Sequence, residues 1–563
     1  MGISSAGIGS GLDVNAIVTS LMAIEQKPLR AVTTQKTAYQ TQISAYGTMK
    51  SALSSFQTAV KTLSSASSFN AQTVTSANTS VFTATSNGSS TIGDYAVTVS
   101  QLAKSQKLAL TGFSNVTDPV GTGTLTISFG TFTPAAVTPA APASFAANAA
   151  KADITISIDS SNNTLAGVRN AINASNSTVS ASIVNNGTSN QLVITSKDTG
   201  EVNSLKISVA DSDGNNTDAA GLSQLAYDPA ASTGTGKNLT QMQAAKNALL
   251  DIDGIAIVKA SNSISDAISG VTLNLLSVSG GVSANLGVSS NKDSVKTSVS
   301  AFVDAYNKLD TTLRSLTKYD PAGTTSGVLL GDATARAVIN QIKSVMTKAI
   351  SSSGSINTLG QIGVSFQSTG QLSLDSTKLA SAMTSNFSDI ATLFTTSAKA
   401  TDQQITYLGS TSKTQSGTYA VTVSQLGTSL VNAAGTLNGS TATSTGNNLI
   451  GAVGDASEGL NINVSGGALG ARGTVNFTIG YASKLDSIIT NLLSDGGILS
   501  SRTEGINTSI TRLNKQADTI NIRLTAIEAS YRAQYTKLDT LMSSLSTTST
   551  FLTQQISSIN ANR

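Results

Sequence analysis

The sequence predicts an α+β multidomain fold, with long coiled-coil helices at both ends and antiparallel β domains between them. Apolar residues recur every seven positions near both termini, which is the spacing of helices that pair lengthwise. Short runs of β-branched residues, separated by Gly, Asn, Asp and Ser, fill much of the chain between these repeats. One octapeptide occurs twice without change, which indicates that a β module is repeated.

Near the N-terminus the pattern predicts two successive helices. Asp13 is suited to cap the first helix, and Pro28 should end or kink it, because proline lacks the backbone amide donor. The apolar face of the first helix consists of Val14, Ile17, Val18 and Leu21. The second helix has an apolar residue at every seventh position, namely Val32, Tyr39, Tyr46, Leu53 and Val60.

At the other end, residues 506–563 contain neither Gly nor Pro and predict one long helix. The later part of its apolar stripe consists of Tyr531, Tyr535, Leu538, Met542, Leu545, Leu552 and Ile556. A third heptad pattern runs from Val295 to Leu316. Shorter helices should follow Asp332 and Asp375, with a small hairpin between them in residues 362–374.

Between the helical segments, β-branched runs predict strands. The predicted strands are Val81–Thr85, Tyr95–Ser100, Thr124–Phe129, Ile154–Ile158, Leu192–Thr195, Ile252–Val258 and Val271–Leu275, with a hairpin turn at Asp253-Gly254. Residues 131–152 are nearly all Ala, Pro, Thr and Phe, and predict a low-complexity surface loop.

The repeated octapeptide indicates the domain layout. Tyr95–Leu102 recurs as Tyr419–Leu426, and each copy is followed by a similar strand and a Ser-Gly-Gly. The predicted domains are terminal helices at 1–40 and 525–563, a coiled-coil helical domain at 41–70, 290–403 and 481–524, a β head domain at 71–104 and 245–289, an inserted β head domain at 105–244, and a second, repeated β module at 404–480.

The composition argues against several functions. The chain has no His and no Cys, so His- and Cys-based catalysis and thiolate or imidazole metal sites are excluded, and we predict no enzyme, metal or cofactor. Its net charge of +3 and 4% aromatic residues argue against nucleic-acid binding. No apolar run is long enough to insert into a membrane, and the N-terminus does not have the pattern of a cleaved secretory signal.

The two ends are the candidate functional surfaces. A helix with one apolar stripe gains most of its stability by burying that stripe, so an isolated end is marginal in water. We therefore expect residues 1–40 and 525–563 to be disordered in the free monomer and to order on assembly. The predicted subunit and filament contacts are Val14, Ile17, Val18, Leu21, Tyr531, Tyr535, Leu538, Met542, Leu545, Leu552 and Ile556.

Three segments resemble one known family. Residues 3–22, with Glu25 and Pro28 behind them, are similar to the N-terminal signature of the bacterial flagellar filament cap proteins, the flagellar hook-associated protein 2 family. Residues 531–538 and 551–555 resemble the end of the same family, and residues 360–375 resemble its middle region.

This resemblance implies a structural protein at the distal tip of the filament, exported unfolded through the flagellar type III apparatus and located outside the cell. It implies a ring-like homo-oligomer, a pentamer or hexamer, with the terminal helices as legs in the flagellin lattice and the β domains as a plate above. Exported flagellin would fold beneath the plate. The implied partners are flagellin, the hook–filament junction protein and an export chaperone on the C-terminal helix, with host surface glycans or mucin as a further expectation.

Two other classes of protein stay open at this point. A filament or hook–filament junction subunit also has helical ends around β domains, although its own terminal motifs are not found here. A stalked surface adhesin would explain the Ser- and Thr-rich β region, but it should carry a signal peptide or an anchor.

Overall fold

The structure is a computed structural model that describes residues 13–175, 178–323, 325–351 and 354–561. Its helices are α1 (Val14–Glu25), α2 (Lys27–Ser64), α3 (Ser67–Asn70), α4 (Leu165–Ser175), α5 (Lys292–Thr317), α6 (Ala333–Thr347), α7 (Ser376–Ser385), α8 (Phe387–Phe394), α9 (Tyr481–Leu493) and α10 (Ile498–Ala561). Short 3-10 turns occur at Glu201–Asn203, Gly221–Leu225 and Leu359–Ile362.

The strands of the first half are β1 (Gln72–Ser76), β2 (Phe82–Ser86), β3 (Gly93–Gln101), β4 (Lys107–Phe113), β5 (Gly123–Thr133), β6 (Ala136–Val137), β7 (Ala140–Ala141), β8 (Ser144–Ala147), β9 (Ile154–Ile158), β10 (Val179–Asn185), β11 (Asn190–Ser196), β12 (Ser204–Asp211), β13 (Thr240–Gln243), β14 (Ala248–Ile252), β15 (Ile255–Lys259), β16 (Ser263–Ile268), β17 (Val271–Leu275) and β18 (Ala284–Ser290). Those of the second half are β19 (Val364–Phe366), β20 (Leu372–Leu374), β21 (Thr396–Ala400), β22 (Ile405–Gly409), β23 (Gly417–Gln425), β24 (Ala434–Leu437), β25 (Ser440–Thr441), β26 (Thr443–Thr445), β27 (Asn448–Ile450), β28 (Asn461–Val464) and β29 (Gly470–Ile479).

Contacts divide the chain into a helical unit, residues 1–68 and 292–563, and a β unit, residues 69–291. In the helical unit, α2 packs against α5, α9 and α10. The heptad residues of α2 from Tyr46 to Val60 and those of α5 from Val295 to Leu313 form its core, and the Phe56 and Phe302 rings lie 5.6 Å apart there. Asp332 and Asp375 cap α6 and α7 as predicted, and β19 pairs with β20 in the predicted hairpin.

The long C-terminal helix begins earlier than the sequence predicts. α10 starts at Ile498 and passes through Gly505, whereas the glycine-free stretch begins at Ile506. A glycine inside a helix costs about 1 kcal/mol. The buried side chains of Leu499 and Ile506 on either side of it offset this cost, because packing contributes more than backbone propensity.

In the β unit, one core lies between the sheet β1-β18-β3-β14-β15 and the sheet β16-β17-β2. The connection from β3 to β14 contains a second core, formed by the sheets β10-β11-β4-β13 and β12-β5-β8 together with β9, which pairs with β5, and α4. Helix α4 is absent from the predicted elements, although Leu165, Val168 and Ile172 have helical spacing and are buried.

Two segments of the β unit differ from the prediction. Residues 131–152 are not a continuous loop, because β5 extends to Thr133, β6 pairs with β7, and β8 pairs with β5. The run Ile252–Val258 is not one strand, because the hairpin turn predicted at Asp253-Gly254 is present and divides it. Asp253 and Gly254 have φ angles of +50° and +85°, so they form a tight turn between β14 and β15.

Residues 396–479, which we name the second β module, repeat the topology of the first core of the β unit. Its sheets run β21-β29-β23-β24-β25 and β22-β28-β27-β26, so each strand of the first core has a counterpart in the same order. The first seven residues of the octapeptide lie in β3 in one copy and in β23 in the other. In both, the tyrosine hydroxyl donates to the carbonyl four residues earlier, Thr91 for Tyr95 and Gln415 for Tyr419. The predicted fold class is confirmed.

We expect the second β module to fold by itself when expressed as residues 395–480. It has its own core, and its ends meet, because the Gly480 amide donates to the Thr395 carbonyl at 2.9 Å. Adjacent ends are typical of domains that tolerate excision. Circular dichroism should show one cooperative thermal transition, and the core variant Val423→Asp should abolish it. A chain that melts without cooperativity would show that the module depends on its neighbours.

Candidate functional site

Helix α1 is stabilised by a capping side chain and by apolar residues that recur on one face. The Ala16 amide donates to the Asp13 carboxylate at 2.9 Å, which satisfies one of the free donors at the helix start. Val14, Val18 and Met22 are buried along one face, whereas Ile17 and Leu21 are half-buried. Pro28 lies in the first turn of α2, where the missing amide costs nothing, so the helix break falls at Gln26.

This face is covered by the chain's own C-terminal helix. Val14, Val18 and Met22 form one apolar cluster with the buried side chain of Leu524. Partly buried side chains of both ends pack against the cluster, namely Leu29, Ile520, Ile527, Tyr531 and Tyr535. The structure therefore brings the predicted residues Val14, Val18, Tyr531 and Tyr535 together within one chain.

Helices α1 and α2 run antiparallel to α10. Arg532 donates to the Asn15 side chain at 2.9 Å, and it also pairs with Glu528 one turn earlier at 2.8 Å. Further along, Val32 lines the same groove as Ile520. Residues later in α1 and α2 therefore contact residues earlier in α10.

A partly buried polar cluster lies at the far end of this pairing. The Asp332 carboxylate accepts from the Tyr46 hydroxyl at 2.7 Å, the Ala335 amide at 2.9 Å and Arg502 at 3.2 Å. Burial opposes ionisation of Asp332, but these donors outweigh it and lower its pKa. Burial and the bond to Asp332 raise the pKa of Tyr46. One carboxylate therefore joins α2, α6 and α10.

Beyond Tyr535, the apolar stripe of α10 is no longer covered by the chain's own helices. The side chains of Leu545 and Leu552 are 55% and 54% exposed. The other predicted contact residues on this stripe are also exposed, namely Leu538, Met542 and Ile556. Residues 540–561 include no charged side chain. A long helix that exposes such a stripe provides a surface for contact with another helix.

Several residues of these surfaces were not among the predicted contacts. Met22 and Leu29 belong to the cluster between α1 and α10, and Leu541 and Ile559 extend the exposed stripe. The helical spacing from Val18 to Met22 could have indicated the first of these. No sequence signal marks Asp332 and Arg502 as partners, because they are far apart in the chain.

Neither a metal site nor a membrane-spanning helix is found in the part of the chain that the structure describes. No three His, Cys, Asp or Glu side chains within the described ranges are grouped to hold a metal ion. None of the described helices has the length and apolar character needed to cross a lipid bilayer.

These features define a structural assembly protein, in which paired terminal helices carry an exposed apolar stripe and β domains make up most of the remaining chain. Residues 10–106 match the family model described as Flagellar hook-associated protein 2 N-terminus, and residues 245–547 match the one described as Flagellar hook-associated protein 2 C-terminus. The chain belongs to the flagellar hook-associated protein 2 family, and the predicted resemblance is confirmed.

Individual relatives agree with this assignment. Flagellar hook-associated protein 2 of Escherichia coli (strain K12) is 32% identical over 565 residues, covering 98% of this chain and 98% of the relative. The B-type flagellar hook-associated protein 2 of Pseudomonas aeruginosa is 35% identical over 408 residues, covering 69% of this chain and 80% of the relative. The crystal structure of the flagellar cap protein FliD D1-D2-D3 domains from Escherichia coli matches with a TM-score of 0.55 and 30% identity, covering 82% of this chain and 99% of that chain.

The chain is accordingly a flagellar filament cap protein, located outside the cell at the filament tip. The two family matches leave out residues 107–244, which contain the second core of the β unit. The exact contact roles of the residues on α1 and α10 stay a prediction. The expected disorder of residues 1–40 and 525–563 in the free monomer also stays a prediction, and residues 1–12, 562 and 563 lie outside the residues that the structure describes.

Proposed function

We propose that this chain assembles with copies of itself into a ring, a pentamer or a hexamer, that closes the distal end of the flagellar filament. The observation that carries the proposal is the exposed, uncharged stripe of α10 from Leu538 to Ile556. Burying one such side chain is worth about 1.5–3 kcal/mol, so several together can hold a leg helix in a helical lattice. The cap acts by steric confinement and by exchange of helix contacts, without covalent chemistry.

The proposed partners are proteins that can bind the exposed stripe of α10. Flagellin and the hook–filament junction protein offer helices to the stripe on α10, and before export a chaperone covers it. The terminal helices serve as legs, and the β domains form the plate beneath which exported flagellin folds. We propose the predicted leg, helical and β domains as the functional units of the cap, with the second β module beginning at residue 396 rather than 404. Binding of host surface glycans or mucin by the β domains remains a prediction.

Sedimentation of the full chain tests whether it forms a ring. We expect a closed oligomer whose size stops increasing as the protein concentration rises, because a ring has no free interface once it is complete. A chain that stays monomeric at high concentration would contradict the proposal. Continued growth into open polymers would contradict the ring.

A further inference from the structure

A cavity of about 360 Å³ lies within the helical unit, between the second β module and helices α6 and α9. Its apolar wall is formed by Val345 of α6, Ile488 of α9, and Phe477 and Ile479 of β29. Hydroxyl side chains line the rest, and the exposed positions of Thr411, Ser412 and Ser487 open it to solvent. A volume near the lower end of the range for small-molecule sites is typical of a small ligand.

Lys484 supplies the one cationic side chain among the residues that line this cavity. It is partly buried near the start of α9, and its ammonium makes no hydrogen bond or ion pair with any residue that the structure describes. Burial lowers the pKa of Lys484, with no partner acting in the opposite direction. An ammonium that has lost part of its water without gaining a partner favours the binding of an anion.

The hydroxyls around Lys484 are of two kinds. Ser410 and Thr411 are held by the module, since Ser410 shares a hydrogen bond with the Tyr407 hydroxyl at 2.9 Å and Thr411 donates to the Glu458 carbonyl at 3.3 Å. Ser412, Ser483 and Ser487 have side-chain hydroxyls without a partner among the described residues. These free hydroxyls can donate to an anion beside the ammonium.

We propose that this cavity binds a small carboxylate with a short apolar body. The carboxylate oxygens accept from the Lys484 ammonium and from neighbouring serine hydroxyls, while the aliphatic part lies against Ile479, Ile488 and Val345. A single ammonium without an arginine suits a monoanion better than a phosphate, which is typically bound by several cations or a bidentate guanidinium. The apolar wall requires an apolar body on the ligand.

Calorimetric titration of the full chain with hexanoate tests the assignment. We expect saturable binding with a dissociation constant of about 1 mM or tighter. Hexan-1-ol, hexylammonium and inorganic phosphate should each bind at least about tenfold more weakly, because each lacks either the single carboxylate charge or the apolar body. Hexanoate should also raise the melting temperature of the helical unit.

The variant Lys484→Met tests the effect of the ammonium on ligand affinity without a loss of fold stability. It removes a charge without a partner and keeps the apolar stem, so its melting temperature without ligand should equal or exceed that of the original chain. We expect its hexanoate affinity to fall at least about tenfold. The matched control is Lys399→Met, at an exposed position of β21 in the second β module, and it should bind hexanoate normally.

Any one of four results would overturn the proposal. Absence of saturable hexanoate binding would mean that the cavity is not a ligand site. Equal binding of hexan-1-ol would mean that Lys484 takes no part, and equal binding of phosphate would mean that the site recognises charge alone. Unchanged hexanoate binding by Lys484→Met would exclude the ammonium as the anchor. None of these results depends on whether the chain caps a filament.

Discussion

We expect that replacing both Leu545 and Leu552 with Asp stops filament growth and releases flagellin unpolymerised into the medium. Both side chains are more than half exposed in the single chain, so the substitutions should not disturb its fold. In the assembled cap the same positions would be buried, where an unpaired carboxylate is costly and about 1.5–3 kcal/mol of burial per leucine is lost. The measurements are filament length by electron microscopy and flagellin in the culture supernatant.

The double variant Thr547→Asp, Gln554→Asp is the matched control. It places the same two charges in the same stretch of α10, on the face opposite the stripe, where both residues are exposed. Filaments should reach full length with this control. Full-length filaments with Leu545→Asp, Leu552→Asp would show that the stripe does not hold the legs, provided that both variants are exported in equal amounts.

The second large effect is expected at Asp332. Replacing it with Ala should lower the free energy of unfolding of the helical unit by about 2–4 kcal/mol. This loss combines the cap of α6 with a buried Tyr46 hydroxyl that is left without its acceptor. Scanning calorimetry should show the transition of the helical unit at a lower temperature while that of the β unit stays in place. A transition temperature of the helical unit that is the same in the variant as in the original chain would contradict this role.

Asp332→Asn is the control, and it also predicts a pH dependence. Asn can cap α6 and accept from Tyr46, so only the partly exposed pair with Arg502 is lost, which is worth about 1 kcal/mol or less. The pKa of Asp332 is lower in the folded chain than in the unfolded chain. Its charge therefore stabilises the fold fully above the unfolded pKa, and this contribution is lost as the pH falls through the folded pKa. The difference between Asp332→Asn and the original chain should shrink on acidification.

The elements that the sequence predicts correctly are those with a local cause. Asp13, Asp332 and Asp375 each precede a helix, and a capping side chain acts within three residues. The heptads of α2 and α5 are equally local, because their spacing alone defines the buried stripe. The repeat could be predicted because two identical octapeptides in similar surroundings adopt the same strand, here β3 and β23.

What the sequence does not contain is the choice of partner for each stripe. Val18 lies on the apolar stripe of α1 and Leu545 lies on that of α10, yet Val18 is 1% exposed and Leu545 is 55% exposed. The difference arises because α1 lies against residues 520–535 of α10 and not against the segment around Leu545. The cluster of Tyr46, Asp332 and Arg502 has the same non-local origin, since Tyr46 lies on α2, Asp332 caps α6 and Arg502 lies on α10.

Cryo-electron microscopy of filament ends, with this chain at the tip, tests the central claim most directly. We predict a closed ring at the distal end in which α10 descends into the filament and the stripe from Leu538 to Ile556 contacts filament subunits. A tip without the chain would contradict the account, as would density for the chain along the filament shaft. A ring whose α10 stripe faces solvent would show that the legs bind by another surface.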